Sequence, residues 1–152
     1  VEQSGLLSLV STEMVFLLWF HNLRAMLLGS VLGMLTFGIL GVLILLLPFA
    51  VISYLMVPFL SVGVPLWKFL IGFVIPHGIF EIPAILLLGA AILQIGVQLA
   101  TPSKGESIAD GVIRSIGEWA KIMIGLVIPL LLAAAVMESL VTPRLAVWLL
   151  GQ

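Results

Sequence analysis

From Ala25 to Leu47 the chain runs without a single charged side chain, and that stretch constrains the fold more than any other feature. A hydrocarbon layer about 30 Å thick is crossed by about 20 consecutive apolar residues in a helix. Within that layer every backbone amide and carbonyl must be satisfied inside the protein, which leaves only helices or closed barrels. The composition extends the argument to the rest of the chain. Of 152 residues, 62% are hydrophobic and 9% charged, against about 25% charged in ordinary soluble domains. The fold class is therefore all-α, an integral membrane helical bundle, with residues 1–152 as one transmembrane domain.

The punctuation of the chain gives the expected topology. Three full crossings are expected, over about 25–47, 77–99 and 122–141. The apolar stretch 48–75 is broken by Pro58, Gly63 and Pro65 and carries Lys68, so it reads as a broken segment, either two half-helices or a re-entrant hairpin packed within protein. Residues 5–20 are apolar but short and contain Glu13, so they read as an interfacial helix, the favoured expectation, or as the end of a truncated span. The exposed connection 100–121 holds Lys104, Glu106, Asp110, Arg114, Glu118 and Lys121, with an amphipathic helix from about Ser107. After Pro143 a short interfacial helix containing Trp148 closes the chain. In this topology Arg24, Lys104, Arg114 and Lys121 share the cytoplasmic side, with Lys68 and Arg144 opposite. The chain begins at Val1, so an N-terminal truncation is expected.

Several function classes are excluded. Six Lys and Arg against seven Asp and Glu form no basic cluster to neutralise nucleic-acid phosphates. With no cysteine, disulfides, thiolate metal sites and thiol nucleophiles are closed. Gly29-Ser30-Val31-Leu32-Gly33 does not match the G-x-S-x-G nucleophile elbow. No enzyme activity and no cofactor are expected.

Against the apolar background, ionisable side chains inside the spans stand out, because they are costly there and face protein, a partner or water. His77 and Glu81 are four residues apart and lie on one helix face. Gly78 beside them offers close backbone approach, and Pro83 sits in the first turns of the same helix, where its missing donor does least harm. In the expected topology Glu138 ends another crossing on the same side, so the three acidic and imidazole groups meet at one depth. A structural hydrogen-bond network, proton or ion handling, and a zinc site all remain open for His77, Glu81 and Glu138; the HExxH spacing of a zinc protease is absent. His21, Asn22 and Arg24 read as a boundary patch that snorkels to lipid head groups. Ala25, Gly29 and Gly33 recur every fourth residue, a small-residue face for helix packing, compatible with a homodimer.

Three segments, FHNLRAMLLGSVLG, PHGIFEIPAILLLGAAI and IPLLLAAAVMESLVTP, resemble in order the stage II sporulation protein M family over roughly residues 20–145. The middle one is the most specific, through Pro76, His77, Gly78, Glu81 and Pro83; the ends match at Asn22 and at Glu138, Thr142 and Pro143. Family members often carry two adjacent asparagines at the helix start, where this chain has His21 and Asn22. The resemblance implies a non-enzymatic, multi-pass scaffold of the cell membrane that anchors peptidoglycan hydrolases during engulfment of the forespore. Its implied partners are envelope proteins and membrane lipids. A transporter or channel component using the His/Glu cluster is the alternative that the residues themselves leave open.

Overall fold

The computed structural model describes residues 12–101, 105 and 107–151, and all regular structure among them is helical. Four helices are long and apolar enough to cross a membrane: α1 (Thr12–Leu35), α2 (Ile39–Ser61), α3 (Leu66–Ala100) and α4 (Ile108–Leu150). The membrane bundle is as expected, but its crossings divide differently. The helix expected over 25–47 is two helices, because the chain reverses at Thr36–Gly38. The broken segment 48–75 does break, at Val62–Pro65, yet its halves are the end of α2 and the start of α3. Residues 12–20, expected in an interfacial helix, begin α1; residues 5–11 of that expectation, and Lys104 and Glu106, lie outside the described residues. The expected closing helix is the last part of α4.

The first reversal has a local cause. At the end of α1 the Gly38 amide donates to the Gly33 carbonyl at 2.7 Å, the six-to-one bond of a Schellman cap. Phe37 takes the left-handed conformation at φ 53° and Gly38 follows at φ 94°. The Thr36 hydroxyl then accepts from the Leu40 amide at 3.1 Å, which caps the start of α2. The second turn repeats the scheme, with Val64 donating to the Phe59 carbonyl at 3.0 Å, Gly63 at φ 85°, and Pro65 leading into α3. The expected amphipathic helix begins at Ile108, where the Ser107 hydroxyl accepts from the Asp110 amide at 3.1 Å.

At three prolines inside the long helices the helix widens instead of ending. Proline has no amide donor, and its ring clashes with the carbonyl four residues back. For Pro76, Pro129 and Pro143 that carbonyl belongs to Gly72, Gly125 and Ser139, each inside a π-helical turn: Leu70–Val74, Met123–Val127 and Met137–Val141. The wider turn draws the carbonyl off the ring, and the helix continues. In the last of these the Thr142 hydroxyl donates to the Met137 carbonyl at 3.2 Å and occupies one released acceptor.

All four helices contribute to one core: Met26 of α1, Leu45 of α2, Ala84, Ile85, Leu88 and Ile92 of α3, and Met123, Val127 and Leu131 of α4. Two tryptophans tie α1 to α4. Trp119 Nε1 donates to the buried Ser30 hydroxyl at 3.1 Å, Ser30 donates to the Met26 carbonyl at 2.9 Å, and Trp19 Nε1 donates to the Ile128 carbonyl at 3.3 Å. The exception to this packing is Leu47–Ser61, the second part of α2, which buries none of its residues.

Candidate functional site

Because Leu47–Ser61 stands off from the bundle, a cavity of about 600 Å³ lies between it and helices α1, α3 and α4. That volume is in the range of small-molecule sites. Val51, Ile52 and Leu55 form its wall on α2, and Met26, Ile44 and Leu45 line it beside the core. Next to the Val62–Pro65 turn it is bordered by three rings: Phe59 and Phe73 with centroids 4.9 Å apart, Phe59 and Phe69 at 5.2 Å, and Phe69 and Phe73 at 5.6 Å. Such spacings are those of favourable tilted and offset aromatic pairs.

Polar groups from three helices meet at this cavity: His21 and Asn22 of α1, His77 and Glu81 of α3, and Glu138 of α4. The face shared by His77 and Glu81 is realised, with Nε2 and Oε2 3.9 Å apart, an ion-pair distance too long for a hydrogen bond. Both side chains are largely enclosed, with exposures of 12% and 14%. His77 Nδ1 is buried and has no hydrogen-bond partner among the described residues. Two π-helical turns place lining groups here, Leu70–Val74 presenting Phe73 and Val74, and Met137–Val141 presenting Glu138.

The arrangement corrects several expectations. His21 and Asn22 do not lie at a helix start on the side opposite His77, Glu81 and Glu138: α1 starts at Thr12, so both residues fall well inside a helix long enough to span, and they line the same cavity as the other three. Arg24 is likewise inside α1 rather than at a helix start; it is exposed and does not line the cavity. Gly78 is buried, but a Cβ there would meet only Ile82 and Val74 of its own helix, at 3.7 and 3.9 Å, so no other backbone uses it. Pro83 is exposed and away from the cavity. Among the described residues, no three His, Asp or Glu side chains come together in a group able to hold a metal ion, so His77, Glu81 and Glu138 share a cavity without forming a metal site.

The small-residue face divides. Ala25 lines the cavity, while Gly29 and Gly33 pack within the chain against Gly41 of α2. A Cβ on Gly33 would stand 3.2 Å from the Gly41 Cα and would collide with the Ile92 side chain. The phenylalanine cluster and the Trp119–Ser30 bond were not read from the sequence. Phe69 and Phe73 were detectable as a one-turn pair, whereas Phe59 joins them only through the turn between α2 and α3.

The profile of stage II sporulation protein M matches residues 4–143, most of the chain, and spans the three motifs that converge on the cavity. The chain belongs to that family. It is thus a multi-pass helical membrane protein in a family that takes its name from sporulation. No curated protein and no solved structure matches it.

Proposed function

We propose that this family member is a non-enzymatic scaffold of the cell membrane that holds envelope proteins, with peptidoglycan hydrolases as the partners. The observation that supports this reading most is the unpacked half of α2: Leu47–Ser61 buries none of its residues and presents Tyr54 and Val57 outward, 77% and 62% exposed. Helix surfaces that find no partner within a chain are where other transmembrane segments pack. The turns that join α1 to α2 and α2 to α3 span only a few residues, which leaves the helices to carry recognition. A photoreactive side chain in place of Tyr54, irradiated in native membranes, is expected to cross-link to a peptidoglycan hydrolase or its membrane anchor. Recovery of lipid adducts alone would overturn the reading.

A second reading, a proton or ion pathway, is favoured by one specific observation, the meeting of His77, Glu81 and Glu138 at a cavity within the spans. Intramembrane ionisable groups that share a cavity are the usual elements of proton relays. The measurement is flux into liposomes containing the purified chain. This reading expects a flux that Glu81→Gln reduces at least several-fold, and a flux no greater than that of empty liposomes sinks it.

A further inference from the structure

The cavity joins two kinds of surface that no single group of the chain satisfies together. Its walls are aliphatic and aromatic, with Val51, Leu55 and Phe59 on one side and Phe73 on the other. Its polar part holds two carboxyl groups, Glu81 and Glu138, from different helices, beside the neutral or weakly basic His21, Asn22 and His77, and neither lysine nor arginine is among the residues lining it. A carboxylate in a low-dielectric setting is expensive unless a cation or several donors face it. The nearest partner of Glu81 is His77 at 3.9 Å, so that need is not met by a close hydrogen bond from the imidazole. The buried Nδ1 of His77 adds a further unpartnered polar atom.

We propose that this cavity binds a single-chain amphiphile with a protonated amine head, the ammonium between Glu81 and Glu138 and the hydrocarbon tail along Val51, Leu55 and the phenylalanine cluster. Charge complementarity selects the head: a carboxylate-headed chain would bring a third acidic group to the same place, and an alcohol would leave both glutamates without a counter-charge. The volume of about 600 Å³ selects the size, enough for one such chain and not for a two-chain lipid with its full head group. Access is lateral, past Leu47–Ser61, which buries none of its residues and meets the bundle through the Phe59 ring at one end. The proposal concerns the ligand of the cavity and stands independently of partner recruitment by the outer face of α2.

The test uses the full chain in phosphatidylcholine nanodiscs, with dodecylamine, dodecanol and dodecanoate as chain-matched probes and the unfolding temperature as readout. Dodecylamine is expected to raise the unfolding temperature saturably, while dodecanol and dodecanoate do not. Glu81→Gln and Glu138→Gln, each isosteric, are expected to weaken the dodecylamine response roughly tenfold, as loss of a charge-assisted hydrogen bond does. Ala25→Phe, which adds a ring at the lining, should abolish the response. Should a variant fail to fold, the wild-type chain labelled with a photoreactive dodecylamine decides: adducts within 47–61 or at Phe73 support the site, and adducts spread over lipid-facing surfaces overturn it. Equal stabilisation by the three probes, or a dodecylamine response that survives both glutamine variants, also overturns it.

Discussion

Replacement of Gly41 by alanine is expected to destabilise the protein by about 3 kcal/mol, at the upper end of what an inserted methyl group costs in a close-packed interior. A Cβ at this position would stand 2.7 Å from the Gly29 carbonyl oxygen and 2.8 Å from the Gly33 Cα. Both obstacles are backbone of α1, which cannot swing aside as the end of a flexible side chain would. Relief requires the α1–α2 hairpin to spread, and spreading moves Gly33 away from Ile92, a residue of the common core. Thermal unfolding of the purified chain in detergent measures the effect, expected as a fall of roughly 6–12 °C for a chain of this length. Gly117→Ala is the control, because nothing lies within 4 Å of its Cβ position and removal of a helical glycine is neutral or mildly stabilising there. Unfolding of Gly41→Ala at the temperature of the parent would show that the hairpin does not depend on this close approach.

Leu88→Ala should cost about 2 kcal/mol, while Leu86→Ala, two residues away on the same helix, should be nearly silent. Leu88 is fully enclosed by residues of the four-helix core, and Leu86 is 65% exposed on the outer face. In water both changes would lose hydrophobic transfer energy. In a membrane, lipid tails are as apolar as leucine, so only the packing lost around a vacated volume remains. That places the Leu88 cost at the low end of the 2–5 kcal/mol seen for buried leucines in soluble proteins. Equilibrium unfolding in mixed micelles compares the pair directly, and equal losses would mean that transfer energy, not packing, holds the bundle together.

The sequence motifs of this family member are informative beyond their individual helices. Asn22, the His77–Glu81 pair and Glu138 lie far apart in the chain, yet all line one cavity. The sequence reading joined the last two and placed the first at the opposite boundary, because it counted one crossing through 25–47. The stretch stays apolar and uncharged on both sides of the reversal, so no charged residue marks the turn. What marks it is Gly38, which follows the left-handed Phe37 at the helix end. The broken segment was misassigned for the complementary reason. Pro65 and Gly63 do end a helix, but Pro76 does not, since a π-helical turn absorbs it.

Hydropathy, near-absence of charge and the small-residue spacing determine by themselves that this chain is a helical membrane bundle with a few costly polar groups inside it, because the bilayer penalises every alternative backbone and every unpartnered charge. The number of crossings, the partner of each glycine and the meeting of the polar residues were decided by tertiary structure. They depend on where the backbone reverses, and in an environment where apolar surface is equally content with lipid or protein, that is set by caps, close backbone contacts and widened turns rather than by hydrophobic pattern.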